Sequence, residues 1–264
     1  MNNTFNIKRF RRLFIKTLFE RKMDTIGFTG LVFVTTLILY VTIKTISGFD
    51  LAQRITFFIG ITAGSFFLVS FIFGQFSGNA SGSSFLTLPA STFEKWLCTI
   101  LIAGILYPLL FLGYYRLMDT LLVTSYHRSL DPSSPFYKSQ FESVSIFDWK
   151  GIIAKNVYKM SLIYTGAMLV GSLYFNKLAV IKVALTLCGL CIIIFGLNWI
   201  MAIGFFGTIE DAAPFNHVAI RTANDIGVIE LPRKVGVVFA DTFLYLFPLL
   251  LWLLSFIRLR EKEF

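Results

Sequence analysis

Six long apolar stretches, at 28–46, 55–73, 97–117, 158–175, 179–203 and 235–257, limit what this chain can fold into. Each approaches the roughly 20 residues that a helix needs to cross about 30 Å of hydrocarbon. Lipid offers no partner to a backbone N–H or C=O, so only helices and closed barrels satisfy those groups internally. The runs are continuous and not alternating, which selects helices over barrel strands. The fourth stretch is the weakest, because Lys155 and Lys159 crowd its start. Composition agrees: 56% of residues are hydrophobic and 15% charged, with 30 Phe, against about 45–50% apolar and about 25% charged in soluble domains. The expected fold class is therefore all-α, a polytopic membrane protein with six transmembrane helices.

An amphipathic segment precedes the first run. Residues 7–22 read IKRFRRLFIKTLFERK, with Phe10, Leu13, Phe14, Thr17 and Leu18 at helical spacing between basic residues. This predicts a helix lying on the membrane surface through that apolar face. It is too long and too basic for the start of a signal peptide, and no small-residue cleavage site follows. The expected organisation is an interfacial helix at 1–27, a transmembrane domain at 28–257 and a tail at 258–264. Orientation follows the basic N-terminus, which places both termini in the cytoplasm. The net charge of +9 then belongs to membrane ends and anionic lipid, not to nucleic acid. Two longer outer segments result, 118–157 and 204–234. The first carries the helix-breaking Asp131-Pro132-Ser133-Ser134-Pro135 and a candidate surface helix at 145–155; the second holds a β-compatible run at 218–231.

No catalytic, cofactor-binding or metal site is legible. Gly74, Gly78 and Gly82 are regularly spaced, but no Gly-Lys-Ser/Thr follows, so the chain has no phosphate-binding loop. His127 and His217 are expected in separate surface loops, without the paired spacing of a metal or triad site. Cys98, Cys188 and Cys191 border or occupy apolar runs and read as small core-filling thiols. Lys44, Arg54, Arg116, Asp119 and Asp241 fall near span ends, where snorkelling or capping accounts for them. Gly60 and Gly64 form a Gly-xxx-Gly pair that permits close helix packing within the chain or between chains, and Ala167 with Gly171 forms a looser one.

The stretch Phe85-Leu86-Thr87-Leu88-Pro89-Ala90-Ser91-Thr92-Phe93-Glu94-Lys95-Trp96-Leu97, after the second span, resembles the cytoplasmic segment of permease subunits of bacterial ABC-2-type transporters. There, a Leu-Pro-x-Ser-x-x-Glu-Lys-like run stands in the same place. Pro89 suits a helix start, Ser91 and Thr92 suit its cap, and Glu94 and Lys95 are expected to present a charged exposed face. The basic amphipathic helix, the six spans and the closing Arg258-Leu259-Arg260-Glu261-Lys262 extend the resemblance along nearly the whole chain. Segment 204–234 departs from it, being rather polar where the family has re-entrant outer helices.

The resemblance implies the membrane half of an exporter in the bacterial inner membrane. The ATPase would be a separate chain, and a second permease, identical or not, would complete the assembly. Energy would enter through Leu88, Pro89, Ser91, Glu94 and Lys95. A membrane anchor or assembly factor that docks a cytoplasmic complex is the alternative, and the same basic ends would serve it.

Overall fold

In the computed structural model, residues 5–20, 22–73, 89–175, 178–207, 209–214, 217–221, 226–230 and 232–262 are described. The chain begins with α1 (Ile7–Glu20) and α2 (Lys22–Ser47), turns at Gly48 in a left-handed conformation (φ 88°), and returns as α3 (Phe49–Phe73). Helix α4 (Thr92–Ile100) runs through a wide π-helical turn, Leu101–Leu106, into α5 (Tyr107–Ser129). Short α6 (Tyr137–Ser143) precedes α7 (Ile152–Tyr174) and α8 (Ala179–Phe206). Strands β1 (Ile209–Ala213), β2 (His217–Arg221) and β3 (Ile226–Glu230) form an antiparallel sheet in that order, and α9 (Arg233–Glu261) closes the chain.

The structure is mostly helical, and among the described residues five helical stretches are long and apolar enough to cross a membrane: 26–47, 49–72, 92–129, 179–206 and 242–261. The stretch at 158–175 forms α7, a helix of 23 residues, but is not among those five. Its surroundings explain its lower hydropathy. Helix α7 packs along both α3 and α9, so much of its surface meets protein, and Ser161, Thr165, Gly166, Gly171 and Ser172 are buried there. The three hydroxyls are satisfied within the helix, each donating to a carbonyl three or four residues back at 2.7–3.0 Å. Helix α8 is the opposite case: only Val183 and Ala202 are buried along its length.

Other expectations need correction. The surface helix predicted at 145–155 is absent as such: 144–148 is neither helix nor strand, α7 begins only at Ile152, and the helix before it is α6. The β-compatible run at 218–231 does hold strands, β2 and β3, with β1 paired to β2, and Asn198 Nδ2 donates to Ala212 O at 3.0 Å, folding β1 back along the last turns of α8. Cys188 and Cys191 are exposed on α8 and fill no core, whereas Cys98 is buried. His127 ends α5, stacked on Phe141 with centroids 4.0 Å apart and Nε2 2.9 Å from Val144 O. His217 lies in β2 beside Asp211 at 3.2 Å.

The bundle is fitted by small residues against large ones. Gly60 and Gly64 of α3 face Phe111 and Tyr107, whose rings occupy the space a Cβ would take, and Tyr107 Oη donates to Gly60 O at 2.7 Å. This pair therefore packs within the chain. Tyr107 reaches it from the end of the π turn, where its N–H bonds to Ile102 O five residues back. Pro108, which has no N–H to continue an α ladder, comes next. On α7, Gly171 meets Val183, and a Cβ on Gly166 would lie 2.8 Å from Trp252 Cδ1. Replacing Gly166 with Leu should lower stability by about 1–3 kcal/mol through overpacking. Gly196→Leu, on α8 with nothing within 4 Å, should be close to neutral. Thermal unfolding in detergent checks the pair, and equal losses would contradict the packing.

Candidate functional site

Two buried carboxylates mark the two ends of the bundle. The first is Glu94. Ser91 is the N-cap of α4, accepting from the Glu94 N–H at 3.3 Å, while Glu94 reaches back to the Ser91 N–H at 3.0 Å. This capping box turns the carboxylate toward the chain start. Arg9 meets it in a fork, Nε to Oε2 at 2.7 Å and NH2 to Oε1 at 2.8 Å. The Asn6 N–H adds a fourth bond to Oε1 at 2.8 Å. Asn6 in turn starts α1, its side chain accepting from the Lys8 N–H at 3.0 Å. Glu94 is fully buried, and Arg9 keeps 27% of its side-chain surface exposed. The hydrogen bonds to Glu94 hold the Arg9 guanidinium above its ordinary value.

The same end gathers the close of α9. Trp96 Nε1 donates to Ser255 Oγ at 2.9 Å and to Trp252 O at 3.2 Å. Phe256 packs on both Phe93 and Trp96, with centroids 6.2 and 5.5 Å away, and Phe5 packs on Phe93 at 6.2 Å. Residues 5–9, 93–96 and 252–256 therefore meet at one end. Helix α7 finishes there too, since Arg258 lies over the Tyr174 ring at 4.6 Å.

Asp119 is the second carboxylate, 1% exposed, near the opposite end. Its Oδ1 accepts from Tyr40 Oη at 2.7 Å and Gln53 Nε2 at 2.9 Å, and its Oδ2 accepts from the Phe147 N–H at 2.8 Å. Gln53 also donates to Ser145 O at 2.8 Å. Helices α2, α3 and α5 are thus tied to the segment 144–148. Arg116, one turn earlier, bonds Phe147 O at 3.3 Å and lies over Trp149. Asp119 neither snorkels nor caps a helix, contrary to the sequence expectation. Its partners stand 28 to 79 residues away in the chain, so no local pattern announces them.

The predicted coupling residues divide. Leu88 lies outside the described residues. Pro89 and Phe93 are exposed, Ser91 is the cap, and Glu94 and Lys95 are both buried. The charged exposed face expected of Glu94 and Lys95 is therefore not there, because the capping box and Arg9 draw Glu94 inward. The helix started at Ser91 forms the first turns of the long one ending at Ser129. The motif Ser-x-x-Glu held the signal for this arrangement, as did the asparagine preceding the amphipathic run.

The five apolar helices suit a multi-pass membrane protein. Comparison with protein-family models, curated proteins and solved structures finds no match.

Truncating Glu94 to Ala should release α1, since charge-assisted hydrogen bonds contribute about 1.5–3 kcal/mol each. Amide exchange in α1 should quicken roughly ten- to hundredfold while α3 is unchanged; unaltered α1 protection would refute the clamp. At the other end Asp119→Ala strands three buried donors, at a cost of about 1–3 kcal/mol apiece. Tyr40→Phe removes one donor and should cost less. A melting series in which Tyr40→Phe is the more damaging change would contradict this account.

Proposed function

We propose that this chain is the membrane-spanning permease subunit of an ABC-2-type exporter, driven by a separate ATPase and completed by a second permease. The observation that carries the reading is the clustering at one end of α1, the start of α4 and the close of α9 around Glu94 and Trp96. Six crossings are part of the proposal. They are supported by α7, which runs from the Phe57–Phe147–Tyr158 cluster, on the Asp119 side, to Tyr174 beside Arg258. With α7 counted, both chain ends fall on one side, and the basic residues of α1 make that side cytoplasmic.

Such a hub suits a subunit that receives force from outside the membrane. A push on the start of α4 passes to α1 through Glu94 and Arg9, and to α9 through Trp96 and Ser255. Glu94 and Lys95 then transmit and do not touch the ATPase. Among the described residues of 89–96, Pro89 and Phe93 are exposed, and an exposed aromatic on a docking surface is a frequent anchor.

The test is co-purification with an ABC ATPase, sought first in an adjacent reading frame. Phe93→Asp should weaken that association roughly thirtyfold, as loss of a hot spot worth about 2 kcal/mol does. Lys138→Glu, on α6 at the far end, should leave it unchanged. Association that survives Phe93→Asp would refute the contact, and an ATPase whose turnover no substrate or lipid alters on binding this chain would favour the anchor reading.

A further inference from the structure

The face of α1 that its sequence assigns to lipid is turned inward. Leu13 belongs to the bundle core, and Phe10, Phe14 and Leu18 pack against it. What α1 shows to the outside is a second face, on which Lys8, Arg11 and Arg12 are exposed beside Ile15 and Phe19, at 44% and 61% exposure. Spacings of three and four residues place these five side chains on one strip. Lys8, Arg11 and Arg12 make no ion pair with one another's neighbours among the described residues, and Arg9, the cation beside them, is already committed to Glu94.

We infer that this outward strip binds the headgroups of anionic phospholipid, with Ile15 and Phe19 entering the acyl boundary. Three arguments converge on that occupant. Like charges at i,i+3 and i,i+4 destabilise a helix, so Lys8 with Arg11 and Arg12 calls for an anion to offset the repulsion. Helix α1 is separated by one residue from α2, whose membrane-crossing stretch starts at Ile26, which holds the strip at the edge of the hydrocarbon. Apolar residues interleaved with cations match that boundary, where long basic side chains reach the headgroups and the aromatic and aliphatic groups enter below them. A soluble acidic partner would leave Ile15 and Phe19 without that environment. The inference rests on the membrane reading and is independent of transport.

Native mass spectrometry of the full chain, released from detergent with equal amounts of phosphatidylglycerol and phosphatidylcholine, provides the test. Wild type should retain phosphatidylglycerol in preference to phosphatidylcholine. The combined Lys8→Gln, Arg11→Gln and Arg12→Gln variant should lose the preference, on the order of fivefold for each charge removed. A charge-preserving variant, Lys8→Arg with Arg11→Lys and Arg12→Lys, should keep it. In wild type alone, raising salt from roughly 0.05 to 0.5 M should weaken retention, because exposed charges are screened. The proposal is overturned if wild type shows no preference, if the neutral variant keeps it, or if the charge-preserving variant loses it as fully as the neutral one. Capture of an acidic soluble protein by wild type, with lipid retention indifferent to all three residues, would assign the strip to that other occupant.

Discussion

The bidentate contact between Arg9 and Glu94 sets the arrangement of one whole end of the molecule. A carboxylate removed from water is costly unless donors replace the lost hydration, and Glu94 has four, from Arg9, Asn6 and Ser91. Because two of those donors belong to the guanidinium of α1 and one to the residue that starts it, the clamp fixes both the position and the rotation of α1. The rotation decides which side chains face the bundle. Leu13 goes inward, and Lys8, Arg11 and Arg12 are left outside. One ion pair thus converts an ordinary-looking amphipathic helix into one with two working faces.

The opposite end obeys the same rule without a cation. Asp119 is met by a phenol, a carboxamide and a backbone N–H from three separate parts of the chain. Between these polar ends the helices are fitted by shape. Among lipid tails, apolar side chains gain little by leaving one apolar environment for another, so close steric fit and hydrogen bonds must select the neighbours. Gly60 and Gly64 beneath Phe111 and Tyr107, and Gly166 beneath Trp252, supply that fit. Helix α7, which packs along both α3 and α9, is also the one whose composition least resembles a lipid-facing span, and the two facts have one cause.

That cause also explains what could be read from the sequence. Long helices and the break before 131–135 follow from local chemistry, apolar length and the two prolines there, but their limits do not: the third span, expected at 97–117, lies in a helix that runs from Thr92 to Ser129. The start of α4 was local as well, since Ser91 and Glu94 stand at capping-box spacing. The fate of Glu94 was not, because a charge next to Lys95 in a loop reads as exposed until Arg9, 85 residues earlier, is known to reach it. Asp119 was misread for the same reason. Hydropathy likewise cannot distinguish lipid from protein as the surroundings of an apolar face: it gave Phe10 and Phe14 to the membrane when they pack on the core, and gave Cys188 and Cys191 to a core when they lie exposed on α8.

On the exporter reading, these constraints decide where motion is possible. The start of α4 is bound sideways to α1 and α9, so displacement of Phe93 carries all three helices together. Further along, the π turn at Leu101–Leu106 interrupts the regular ladder, and wide turns of this kind are frequent where a helix serves function. Beyond it, Tyr107 is anchored to α3 through Gly60 O, and Asp119 holds α5 to α2, α3 and segment 144–148. A stiff hub at one end and a latched one at the other leave the π turn as the place where α4 and α5 can change their mutual angle without breaking either set of buried hydrogen bonds. A rigid link throughout would transmit force but admit no second arrangement of the helices, and alternating arrangements are what a carrier of this class requires.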